Sequence, residues 1–185
     1  MKRLTLILGL LAGPLLAQSP LPFDVGGPFA LTDQNGEMRT EADPDGQPQL
    51  LFFGYANCPG ICSAALPLMA DVTDLVAEAG HDLRPVMITV DPERDRVGTM
   101  QAPLAEHHPA FIGLTGSKEA LATAYAAFSV DHALAYEDPK YGPVFTHGSL
   151  IYLLDGSGDV LTLIPPVLDA ASAAQIALRY MAPES

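Results

Sequence analysis

The stretch "QLLFFGYANCPGICSAALPLMADVTDLVAEAG", residues 49–80, decides the fold. Its first part is a short unbroken apolar run of strand length, and from Ser63 to Ala79 apolar residues recur near helical spacing until Gly80 stops them. A buried strand that passes through a brief loop into a helix is the opening unit of a parallel sheet that carries helices. Both cysteines of the chain, Cys58 and Cys62, fall in that loop and in the first turn of the helix, with three residues between them.

The pattern extends in both directions. Downstream, "PVMITV" predicts a second buried strand, Val97 to His108 a weaker helix troubled by Pro103, and "AFIGLT" a third strand. Ser117 is placed to cap a helix running to Phe128, with Glu119 favourable to its dipole. "SLIYLLD" and "DVLTLIPP" bracket "GSG" as a terminal hairpin, and a helix capped by Asp169 runs to about Met181. Upstream, Phe29 to Leu31 and Met38 to Thr40 flank "DQNG", whose Asn-Gly step favours a tight hairpin turn. The alternation predicts an α/β fold with a parallel core in one globular unit. "DHALAYEDPKYGPVFT", residues 131–146, reads as a long irregular loop that leads into His147, and long loops inside compact domains often carry function.

Composition narrows the function. With 49% hydrophobic and 17% charged residues, the 185-residue chain can bury a real core. A net charge of -13 repels phosphate backbones, which excludes nucleic acid and suits a basic partner or a cationic ligand. Lys2 and Arg3 precede an apolar stretch from Leu4 to Leu16, broken by Gly9, Gly13 and Pro14, with a small residue at Ala17. That order predicts a signal peptide over residues 1–17, cut near Ala17, followed by a Pro-rich linker over residues 18–28. The apolar core is shorter than the roughly 20 residues a spanning helix needs, so the expectation is a periplasmic protein that meets a membrane only if this segment is retained. In such a compartment two cysteines ordinarily form a disulfide, and any role for free thiols requires a thiol reductant.

The cysteine spacing leaves three chemistries open. Thiols at a helix N-terminus are shifted toward thiolate, the form that attacks disulfides and binds soft metals. Cα atoms four residues apart on a helix lie about 6 Å from each other, within the span of a disulfide, so the pair can open and close with little backbone movement. A purely structural bridge would close only a very short loop, where chain-entropy stabilisation is smallest. Two thiolates also suit Cu(I), and an imidazole would complete a three-coordinate site. Of the five histidines, His81, His107 and His108 read as surface residues, and His132 sits in the irregular loop. His147 stands at the opening of a predicted core strand, a position from which spacing alone does not make it a ligand.

"FALTDQNGEM", "LLFFGYANCPGIC", "ITVDPERDR", "FIGLTGS" and "THGSLIYLLDGSGDV" occur in this order, and together they resemble the Sco/SenC family of copper-binding, thioredoxin-fold proteins. The resemblance runs from about Phe29 to Met181 and implies a thioredoxin-like domain over residues 29–182. Its central mixed sheet would be flanked by helices, with an N-terminal hairpin and a C-terminal hairpin plus helix. It implies Cys58, Cys62 and His147 as copper ligands, and a role in delivering copper for the dinuclear copper centre of cytochrome c oxidase. The partners so implied are the copper-accepting oxidase subunit or another cuproprotein, and a reductant for the cysteines. The sequence departs from the family pattern in three places. Thr146 stands where an aspartate usually precedes the histidine, Ser63 where a proline often follows the second cysteine, and Gly60 where an aspartate often lies inside the motif.

Two enzymatic readings stand beside the chaperone. As a thiol-disulfide oxidoreductase, Cys58 would attack a partner disulfide and Cys62 would resolve the mixed intermediate. A peroxidase would need an arginine or threonine aimed at the peroxide, and the stretch around Cys58 supplies no arginine. "GLTGSKE" fails as a nucleotide-binding loop because Ser117 precedes Lys118 where glycine is required. Asp91, Glu93 and Asp95 of the "DPERD" turn read as a solvated turn and cap rather than a docking surface.

Overall fold

The computed structural model describes residues 21–56 and 62–182; of Cys62 and Ser63 it describes the backbone alone. The predicted signal peptide and Cys58 lie outside the described residues.

The sheet is built outward from β3 (Gln49–Gly54), which is buried at every position, as an unbroken apolar run requires. β3 pairs in parallel with β4 (Arg84–Thr89), and β4 in parallel with β5 (Ile112–Thr115). Between β3 and β4 runs α1 (Cys62–Glu78), the crossover that parallel neighbours need. Gly80, at φ +85°, closes it: its amide bonds to Ala77 O and the His81 amide to Val76 O, a left-handed cap that glycine adopts without strain. Pro67 lies inside α1, where it cannot donate to the carbonyl four residues back, so the turn that begins with Cys62 has one tie fewer to the helix body.

The outer strands are antiparallel, which makes the sheet mixed: the parallel expectation holds only for β3, β4 and β5. β1 (Ala30–Asp33) pairs with β2 (Met38–Thr40) in the expected hairpin, starting one residue and ending two residues later than the predicted first strand, and joins the sheet through β5. Its turn is fixed by the Asp33 carboxylate, which accepts from the amides of Asn35 and Glu37 and from Arg39 Nε. After a two-stranded excursion, β6 (Ala133–Asp138) and β7 (Gly142–Thr146), the chain returns as β8 (Ile151–Leu154) beside β3 and β9 (Val160–Ile164) beside β8. The order is β2-β1-β5-β4-β3-β8-β9.

α3 (Lys118–Ala127) packs against β1, and α4 (Ala170–Met181) against α1 and β9. Their caps are those expected, with Ser117 accepting from the Ala120 amide and Asp169 from the Ser172 amide. Phe53 of β3 meets Tyr125, Phe128 and Tyr152, a buried aromatic cluster on one side of the pleat. Phe52, whose side chain points to the other side, meets the ring of His147.

Two expectations fail. The helix predicted over Val97 to His108 shrinks to α2 (Gln101–Ala105), because residues 96–99 are held in a turn: the Arg96 amide donates to Thr99 Oγ1 and the Gly98 amide to Gln34 O. Pro103 falls in the first turn of this short helix, where no intrahelical donor is required of it. The segment 131–146 is ordered as the β6–β7 hairpin, with a register shift between Leu134 and Tyr136. Its turn is set by Asp138 Oδ1, which accepts from the amides of Lys140 and Tyr141, and by Gly142 at φ +74°. The alanines of β6 and Pro143 in β7 weaken the strand signal, which is why the sequence reads as a loop.

Candidate metal centre

The predicted ligands come from two places far apart in the chain. Cys62 opens α1 directly after the end of β3 and its loop, as the helix-terminus argument requires, while its side chain and all of Cys58 lie outside the described residues. His147 follows β7 and precedes β8. Its half-buried ring stands edge-on to Phe52 at 5.6 Å and to Tyr55 at 6.0 Å between centroids. Tyr55 is three residues before Cys58, a reach of about 11 Å at most for extended chain, so the imidazole stands at the mouth of the cysteine loop. His147 Nδ1 lies 2.8 Å from Gly148 O. A carbonyl can only accept, so this bond places a proton on Nδ1, which in the neutral imidazole leaves Nε2 as the acceptor, the tautomer fixing common among metal-binding histidines. Thr146 donates its hydroxyl to Ala133 O across the hairpin at 3.2 Å.

The "DPERD" turn joins the two halves, and here the sequence reading is corrected. Asp91 and Asp95 are 1% and 2% exposed, and only Glu93 is solvated. Asp95 Oδ2 accepts from the Ala56 amide at 3.0 Å, which fixes the backbone just before the cysteine loop, and from Thr89 Oγ1 at 2.7 Å. Burial pushes the Asp95 carboxyl up; the bonds from Thr89 and Ala56 oppose it, and the neighbouring Asp91 charge adds to the rise. Tyr125 donates to Thr89 O at 2.7 Å, and burial together with the Asp91 charge raises its hydroxyl to about 12.

Arg94 extends the turn to the histidine. Its Nε pairs with Asp91 Oδ2, Nη1 donates to Tyr141 O at 2.5 Å and Nη2 to Pro143 O at 2.7 Å. Its guanidinium carbon lies 5.4 Å from the centroid of the Tyr55 ring, whose hydroxyl accepts from the Phe145 amide at 3.4 Å. Sequence reasoning found no arginine around Cys58, yet folding brings one beside Tyr55. Its Nε, Nη1 and Nη2 each donate to Asp91 or to a hairpin carbonyl, and none of these bonds serves a peroxide. Neither Arg94 nor Tyr55 carries a local signal; only the motif match around "DPERDR" could have drawn attention to the arginine.

The other histidines are elsewhere. His81 and His107 are exposed, His108 is held by Asp74 at 3.2 Å and by the Ala110 amide, and His132 lies against the Tyr125 ring at 4.4 Å. Among the described residues, no group of three or more His, Cys, Asp or Glu side chains could hold a metal. The predicted donor set of two sulfurs and one imidazole would fit copper, since soft thiolates select Cu(I) and imidazole suits Cu(II). Among the described residues, no helix is long and apolar enough to cross a membrane.

Comparison with known proteins matches residues 17–182 to the SCO1/SenC family model. The chain is 36% identical over 140 residues to the SCO2-like protein RC0895 of Rickettsia conorii, an overlap of 74% of this chain and 67% of that one. The structure is similar to that of Arabidopsis thaliana ScoI with copper bound, at a TM-score of 0.78 and 31% identity, covering 84% of this chain and 97% of that one. It is similar also to Bradyrhizobium japonicum ScoI with copper bound, at a TM-score of 0.74 and 32% identity, covering 84% and 99%.

Proposed function

Since the chain belongs to the SCO1/SenC family, we propose that it is a periplasmic copper chaperone that takes copper as cargo on Cys58, Cys62 and His147. It delivers that copper for the dinuclear copper centre of cytochrome c oxidase or to another cuproprotein. The observation that carries this reading is the seat of His147 against Tyr55 at the mouth of the cysteine loop. The two solved relatives that hold copper support it. In this reading the thiolates supply the soft donors, the imidazole completes the set, and Gly148 O orients the ring.

A second activity accompanies the first. Cys62 at the start of α1 favours a thiolate, so the pair can also act as a thiol-disulfide couple, with the acceptor's own cysteines as a natural target. His147→Ala separates the two roles, because disulfide exchange needs two sulfurs and no imidazole. The variant is expected to bind copper more weakly, Cu(II) above all, and to exchange disulfides at the wild-type rate. Copper titration paired with an exchange assay on the same protein measures both, and wild-type copper affinity in the variant would remove His147 from the ligand set.

A further inference from the structure

We propose that Arg94 is the positioning residue that sets His147 relative to the cysteine loop; the inference rests on reading His147 as a ligand. On the C-terminal side of His147, β8 pairs with β3 and ties that flank to the strand that delivers the cysteine loop, but among the described residues the hairpin on its N-terminal side has no such ladder. β3 delivers the cysteine loop, whereas His147 arrives at the end of a hairpin that belongs to no other sheet. The Arg94 guanidinium and the Tyr55 side chain both hold the hairpin to the site. The guanidinium reaches Tyr141 O and Pro143 O, which flank Gly142 at the start of β7, is anchored by the buried Asp91 carboxylate, and lies against Tyr55.

The geometry makes this role specific to arginine. Three separate acceptors are served at once from Nε, Nη1 and Nη2, a fork that an ammonium cannot reproduce. Tyr55 completes the linkage: its hydroxyl receives the Phe145 amide, its ring meets Phe145 at 5.7 Å, and the same ring meets His147. The neighbouring Asp95 holds Ala56. Adjacent residues of one turn therefore hold the histidine arm and the cysteine arm, and beyond Asp91 the hydrogen bonds of Arg94 go to the hairpin that carries His147. Because Cu(II) depends on the imidazole more than Cu(I) does, disturbing Arg94 selectively weakens the oxidised cargo.

Arg94→Ala would leave Asp91 buried with no counter-charge and could simply unfold the chain. Arg94→Lys keeps a cation beside Asp91 but cannot serve both hairpin carbonyls, and Arg94→Gln combined with Asp91→Asn removes both charges together. In each, Cu(II) affinity is expected to fall by about 10- to 100-fold, the range for residues that orient a ligand, with a changed Cu(II) electron paramagnetic resonance signature. Cu(I) affinity and the Cys58–Cys62 exchange rate should stay near wild type. Adding Arg94→Lys to His147→Ala should cause no further loss, since the effect runs through the imidazole. If His147→Ala weakens Cu(II) while Arg94→Lys binds it with wild-type affinity and spectrum, Arg94 is only structural and the inference fails alone. Equal losses of Cu(I), Cu(II) and exchange in Arg94→Lys, or a further loss on top of His147→Ala, overturn it as well. If His147→Ala itself binds Cu(II) normally, the ligand reading falls and takes this inference with it.

Discussion

Asp95 Oδ2 and the Ala56 amide meet at 3.0 Å in a buried hydrogen bond that joins the turn after β4 to the last described residue before the cysteine loop. The same oxygen also receives the Thr89 hydroxyl, and the Asp95 carbonyl receives that of Thr115. The carboxylate thus ties the ends of β3 and β4 together, and the carbonyl of the same residue adds β5, at the edge where the site forms.

Replacing this carboxylate tests the tie. Asp95→Ala leaves the Ala56 amide and the Thr89 hydroxyl buried without their acceptor, a cost of about 1–3 kcal/mol for each group. Urea unfolding should show a lower midpoint. The pH dependence has a definite sign: the Asp95 carboxyl is raised above its ordinary 3.8, so its contribution is fully present below that pH and is lost as pH rises through the folded-state value. Asp95→Asn does not ionise. Its stability relative to wild type should therefore improve from pH 4 upward, and a flat difference across that range would contradict the assignment.

Asp33 should behave in the opposite sense. Burial pushes its carboxyl up, but the amides of Glu37 and Asn35 and the Arg39 guanidinium together outweigh that and hold it below 3.8. Its stabilisation is present above pH 3.8 and is lost as pH falls through the lower folded-state value. Asp33→Ala is expected to cost about 3 kcal/mol at neutral pH, since it strands two turn amides and a partly buried arginine. The variant's deficit should shrink in acid unfolding measured below pH 3.8.

Cys58→Ala and Cys62→Ala should each remove most of the affinity for Cu(I), because a principal soft donor is lost and water is a poor substitute. Oxidation of the pair should abolish binding for the same reason. Competition against a Cu(I) chelator on reduced protein reads both effects. A single-cysteine variant that holds Cu(I) as tightly as wild type would exclude that sulfur from the site.

The central elements were legible because their signals are local. The apolar run of β3 can only be buried, the apolar spacing to Ala79 can only be a helix ended by Gly80, and Ser117 and Asp169 cap the helices that follow them. The cysteine spacing and the order of motifs likewise pointed to the family and to copper from the residues themselves. What folding decided were the relationships between distant segments. The β6–β7 hairpin has little periodicity of its own and is fastened to the site by Arg94, from another part of the chain. Asp91 and Asp95 look like solvated turn acids until the sheet closes over them, because burial of a polar side chain depends on partners that spacing does not reveal. His147 could be singled out in the sequence, but its seat on Phe52 and Tyr55 exists only once β3 and the end of the hairpin are brought together.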